Sequence, residues 1–99
     1  ALTQAATIAI DLALSNNFTT TMTGNRTMGN PSNAVAGQSG SIFIVQDATG
    51  SRTLAWSANW DFAGGVAPTL STAASSIDRV DYIVQDATNI QAVITLAYS

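Results

Sequence analysis

The sequence predicts an all-β fold, an antiparallel β-sandwich or jelly-roll-like domain of about six to eight strands, with residues 1–99 forming one domain. Three observations predict it. Apolar and polar residues alternate with period two over several segments. The polar positions of those segments are rich in Thr, whose branched side chain suits a pleat and loses freedom in a helix. The segments are separated by Gly-, Asn-, Ser- and Pro-containing stretches at spacings typical of β architectures. No segment asks to be helical, although Ser71 to Ser76 has room for one turn.

In chain order, Ile8, Ile10, Leu12 and Leu14 fall on one parity, with Thr7, Ala9, Asp11 and Ala13 on the other, which reads as a half-buried strand. Ser15, Asn16 and Asn17 supply turn chemistry. Phe18, Thr20 and Met22 then alternate with Thr19, Thr21 and Thr23, so the two segments read as a first hairpin. Gly24 to Gly40, with Asn30-Pro31-Ser32-Asn33 and Gly37-Gln38-Ser39-Gly40, has little periodicity and reads as a long ordered loop. Strands follow at about Ser41 to Asp47 and Arg52 to Ser57. Ala58 to Ser76 reads as a second irregular excursion, holding Trp60, Phe62, Gly64-Gly65 and Pro68. The last strands span about Ile77 to Asp86 and Ile90 to Tyr98. In them Val80, Tyr82 and Val84 share one face, as do Ile90, Ala92, Ile94, Leu96 and Tyr98.

The hexapeptide Ile-Val-Gln-Asp-Ala-Thr occurs twice, at Ile44 to Thr49 and at Ile83 to Thr88. Each copy leads an apolar strand into Asp, then two residues compatible with αR, then one that tolerates αL: Gly50 after the first and Asn89 after the second. That order predicts two hairpin corners, each a type I turn closed by a G1 bulge, with the Asp47 or Asp86 carboxylate accepting from amides of its own turn. Two copies do not make a repeat array.

Composition narrows the function. Only 9% of residues are charged, against about a quarter in ordinary soluble domains. The three cations are all Arg, and Lys, Glu, His and Cys are absent. A net charge of −3, with Arg26, Arg52 and Arg79 far apart in sequence, excludes the clustered cations that phosphate neutralisation needs, so no nucleic-acid partner is expected. No run approaches the roughly 20 apolar residues of a membrane span. The opening apolar stretch carries Asp11 and no basic lead, unlike a signal peptide. The surface must be built of Thr, Ser, Asn, Gln and Ala, which suits contact with other protein.

An enzyme is not expected. General acid–base work would fall to six Asp and two Tyr, and a Ser nucleophile would lack its ordinary base. Asp78 and Asp81, the closest acidic pair, point to opposite faces of a regular strand, so no metal site and no cofactor are expected. Trp56, Trp60, Asp61 and Phe62 form the candidate receptor or interface loop. Its aromatics either make a platform for a sugar ring or fold back to plug the end of the sandwich; exposed aromatics beside Gly-rich backbone are costly over a thin core, which favours the plug. Arg52, just past the first corner, is the candidate for an inter-subunit ion pair with an Asp, or else an exposed arginine. The glycosylation-like triplets at Asn17 and Asn25 carry no weight in so Asn- and Thr-rich a chain.

The succession Asn30-Pro31, Gly37-Gln38-Ser39-Gly40, Gln46-Asp47-Ala48-Thr49-Gly50-Ser51-Arg52-Thr53-Leu54, Trp60-Asp61-Phe62-Ala63-Gly64-Gly65 and Ala67-Pro68-Thr69-Leu70 resembles a β-domain of tailed-bacteriophage virion surface proteins, found in fibres, appendages and capsid-surface proteins. The resemblance runs from about Thr7 to Tyr98. It implies a structural or adhesive role without catalytic residues, usually as a homotrimer on the virion surface, made in the host bacterial cytoplasm. The brevity of the chain points to a capsid decoration or short head-fibre component, partnered by its own copies and by capsid or fibre-base proteins. The alternative is a tail-fibre or receptor-binding adhesin that recognises a host surface glycan through the loops at Asn25 to Gly40 and Ala58 to Pro68. A secreted cellular β-sandwich binding module is a third reading.

Overall fold

The structure, a computed structural model, describes residues 1–98. It contains eight strands: β1 (Thr7–Ile8), β2 (Asn17–Met22), β3 (Arg26–Met28), β4 (Ser39–Gln46), β5 (Leu54–Trp56), β6 (Trp60–Phe62), β7 (Ile77–Asp86) and β8 (Asn89–Tyr98), with one 3-10 turn at Ala63–Gly65. They form two sheets, β1-β3-β5 and β2-β4-β7-β8-β6. The expected two-sheet, all-β architecture is therefore present.

Through its first six strands the chain visits the two sheets alternately. Strands β3, β4 and β5 consequently meet not their sequence neighbour but the strand two places earlier, arriving in the same direction, while β6 joins the far edge of the larger sheet beside β8. This explains a departure from the antiparallel pairing expected. The β1–β3, β3–β5, β2–β4 and β6–β8 ladders are parallel, and only β4–β7 and β7–β8 are antiparallel. Parallel neighbours need a crossover between them, and here the opposite sheet supplies it. The β7–β8 hairpin then lies between β4 and β6 and completes the larger sheet.

The first hairpin is a casualty of this winding. Residues after Ala6 run beside β3 and its continuation: Thr27 donates to Ala6, Gly29 to Ile8, Ser32 to Ile10 and Leu12 to Ser32, all backbone N–H to C=O at 2.9–3.0 Å. Ile8, Ile10 and Leu12 are buried on the predicted parity, whereas Leu14 is 79% exposed. The period was legible and the partner was not, because alternation reports which face is covered and carries no information about the neighbouring strand. Both irregular excursions likewise contain a short strand, β3 in the first and β6 in the second. Ser71 to Ser76 forms turns and bends without helix.

The core lies between the sheets. Ile8, Met28 and Leu54 come from the smaller one, and Met22, Ile42, Ile44, Val80, Val84 and Ile90 from the larger, all at or below 6% exposure. Full burial of each such side chain contributes roughly 1.5–3 kcal/mol. Val80, Tyr82 and Val84 share the inner face as expected. On β8 the expected stripe is interrupted. Ile90 and Ala92 are buried and Ile94 is partly so, but Ala97 takes φ +59° where the β7–β8 register shifts, and Leu96 and Tyr98 end up exposed.

Candidate functional site

The hexapeptide copies have identical residues and opposite orientations. In the first, Ile44 and Gln46 point into the core; in the second, Val84 does, leaving Ile83 and Gln85 outside. Buried Gln46 is fully engaged: Nε2 donates to the carbonyls of Arg52 (2.8 Å) and Ser71 (3.0 Å), and Oε1 accepts from Arg52 N–H (3.0 Å). Exposed Gln85 accepts only from Gln91.

The corners differ as well. Asp47 accepts from the amides of Thr49 and Gly50 at 3.1 and 3.0 Å, and Gly50 (φ +73°) with Ser51 (φ +58°) turns the chain out of β4. Its successor, β5, lies in the other sheet, so this corner joins sheets and is no hairpin. The second copy does close a hairpin, but Asp86 pairs with Asn89 across a two-residue loop, and Asn89 does not take the left-handed conformation expected of it. A side-chain clamp explains the tighter turn, since Asn89 Nδ2 donates to both Asp86 oxygens at 2.8 and 3.1 Å. Asp86 also accepts from the Thr88 amide at 3.0 Å.

Arg52 closes on Asp47 of its own corner, with Nη2 at 3.0 Å from Oδ2 and Nε at 3.4 Å from Oδ1. Arg52, the candidate for an inter-subunit pair, thus has an ion-pair partner within its own chain, because the turn brings residues five apart into reach. The Arg52 hydrogen bond, foremost, holds the Asp47 carboxyl below the usual carboxylate range. Asp86 is lowered chiefly by Asn89, and Asp11 chiefly by Asn33.

The aromatic residues gather at β5 and β6. Trp56 stands edge-on to Trp60 and to Phe62, with ring centroids 5.0 and 5.1 Å apart, and Trp60 is edge-on to Tyr82 at 6.2 Å. Trp60 is buried, and its indole N–H donates to the Gly29 carbonyl at 2.9 Å. It is therefore chiefly a core residue, with only its rim at the floor of the neighbouring groove. Trp56, Asp61 and Phe62 do reach the surface, where with Ser57, Gly65 and Ala67 they line a groove of about 260 Å³.

A second surface was missed from sequence. The outward side of β4, β7 and β8 exposes Phe43 (40%), Ile83 (50%) and Val93 (58%). Registration places Phe43 beside Arg79, Asp81 between Ser41 and Val93, and Ile83 beside Gln91. Arg79 and Asp81 pair at 3.1 Å, and the Arg79 guanidinium lies 5.1 Å from the Tyr98 ring centroid. The available signal was that Ile42-Phe43-Ile44-Val45, Tyr82-Ile83-Val84 and Ala92-Val93-Ile94 are apolar on both parities, the mark of strands covered on both sides.

Asp78 and Asp81 do lie on opposite sides of β7. Asp78 is buried and accepts from the amides of Ser71 and Ala97, each at 2.8 Å, which holds the β8 irregularity in place. Among the described residues no three His, Cys, Asp or Glu side chains group as metal ligands would.

The fold and these corners define the class: a charge-poor, two-sheet all-β module. Residues 5–84 match the family described as "Putative phage tail fibre C-terminal domain", and the chain belongs to that family: it is a β-domain of a bacteriophage virion surface protein. No curated protein matches it, and no solved structure does.

Proposed function

We propose that this module is a structural element of a phage fibre that works as a homotrimer, is made in the bacterial cytoplasm and is mounted on the particle surface. The shortage of ionic side chains carries the reading. With 9% of residues charged and no Lys or Glu, the outside lacks the charge that keeps a small domain monodisperse, and large apolar side chains remain on it. Burial against sister copies removes that surface from water and covers strand edges that otherwise invite uncontrolled pairing. Light scattering of the purified chain over a micromolar dilution series tests it. Three copies persisting on dilution are expected, and monomer throughout overturns the proposal.

Family membership favours a fibre over the capsid shell. A capsid decoration or short head fibre would use the same assembled unit, and immunogold labelling of virions separates the positions: gold on fibres supports the proposal, gold over the head overturns it. The adhesin reading is favoured by one observation, the groove where Trp56 and Phe62 flank Asp61. An aromatic wall beside a free carboxylate is suited to the apolar faces and hydroxyls of a sugar. Glycan-array binding that Asp61→Asn abolishes, with the melting temperature unchanged, would establish it.

A further inference from the structure

We infer that the outward face of β4, β7 and β8 is the surface on which a second copy of this chain docks. The inference rests on the self-assembly proposed above and assigns it a place. Three observations converge. The strands are apolar on both parities, a pattern of two-sided burial, yet the chain covers only their inner side. The outward residues of the smaller sheet, by contrast, are Thr7, Thr27 and Ala55, too small and polar to anchor a partner. Leu14, Val35 and Val66 are exposed in loops rather than on either sheet face.

Charge complementarity identifies the occupant. On β7 the face carries one positive and one negative side chain, Arg79 and Asp81, two residues and roughly 7 Å apart along the strand. In any closed ring whose axis runs across the strands, the Arg79 end of one face turns towards the Asp81 end of the next. Arg79 then meets Asp81 of the partner subunit while Phe43, Ile83 and Val93 pack around the exchanged pair. An unrelated partner would have to supply that dipole; a second copy brings it automatically. Within one copy Arg79 pairs with its own Asp81 at 3.1 Å, and docking exchanges that contact for the partner's Asp81, so the number of ion pairs is conserved.

The test uses the full chain and substitutions at exposed positions. Val93→Arg and Ile83→Arg are expected to weaken association at least about tenfold in sedimentation equilibrium, because each buries an unpaired charge. Val66→Arg, at a loop position 73% exposed, is expected to leave it unchanged. Circular dichroism checks that each variant keeps its strand content. A charge exchange separates this face from general stickiness. Arg79→Asp and Asp81→Arg copies should each repel their own kind and assemble when mixed. Oligomers that persist in both outward Arg variants overturn the assigned face while self-assembly stands. A wild-type chain that is monomeric throughout overturns both, and a mixture that assembles no better than its components overturns the reciprocal pairing.

Discussion

Trp60 shows how the partners of one side chain separate two readings of it, receptor platform and core plug, of which the plug was favoured from sequence. Its neighbours Gly64, Gly65 and Pro68 mark a loop, and a loop tryptophan is a natural receptor contact. The tertiary structure instead pairs β6 with β8, which turns the indole inward onto Tyr82 and gives its N–H the Gly29 carbonyl. Trp60→Ala is therefore expected to cost about 3–5 kcal/mol in urea unfolding, the range for deleting a large buried aromatic. The carboxylates make a second prediction at this scale. Asp11, Asp47 and Asp86 all have pKa values held below 3.8 by their local hydrogen bonds. A depressed folded-state pKa contributes stability that is present above the unfolded value and is lost as pH falls through the folded one. The urea midpoint should thus fall as the solution is acidified below 3.8, and Asp47→Asn and Asp86→Asn should each make that fall shallower.

At the scale of elements, the duplicated hexapeptide is a natural control experiment. Identical residues enter β4 and β7 one position out of phase relative to the core, so the same substitution has different consequences in each. Gln46→Ala leaves the Arg52 amide and the Arg52 and Ser71 carbonyls without their partner and should cost at least about 1–3 kcal/mol, the penalty for one orphaned buried group, since all three are partly buried. Gln85→Ala should stay within about 0.5 kcal/mol, as exposed substitutions do. Equal effects in chemical denaturation would contradict the opposite orientations. The first corner is sensitive for another reason. Gly50 combines φ +73° with a tight approach, and a Cβ there would lie 2.6 Å from the Thr72 carbonyl oxygen and 2.9 Å from the Ala74 nitrogen. Gly50→Ala is expected to destabilise by more than the roughly 1 kcal/mol of left-handed backbone strain alone, because the chain at Thr72 to Ala74 must also move. Turn chemistry was readable at both corners. What each corner connects was not, since an Asp-initiated turn can close a hairpin or pass the chain to the opposite sheet.

For the whole molecule, the order β2-β4-β7-β8-β6 makes the last hairpin the element that joins the winding into one sheet. It contributes Val80, Tyr82, Val84, Ile90 and Ala92 to the core and is the only hydrogen-bonded bridge between β4 and β6 among the described residues. A chain ending at Ser76 should therefore fail to fold, showing neither the cooperative melt nor the strand signal of the full chain in circular dichroism. Refolding of the complete chain should be slow for its size, on the millisecond-to-second scale, because the parallel ladders pair residues well apart in sequence.

Composition and local order were enough to establish the β class, the period of the inner faces, the turn-forming acids, the lack of catalytic inventory and the resemblance to phage virion domains. All of these depend on residue identity or on neighbours a few positions away. Strand direction, the sheet each corner leads to, the partners of Trp60, the Asp47–Arg52 closure and the outward apolar face of β4, β7 and β8 were decided only by tertiary structure. The physical reason is that backbone hydrogen bonds are indifferent to side-chain identity. A period-two pattern says which side of a strand is dry, while the partner along its edge is chosen by how the whole chain winds between its two sheets.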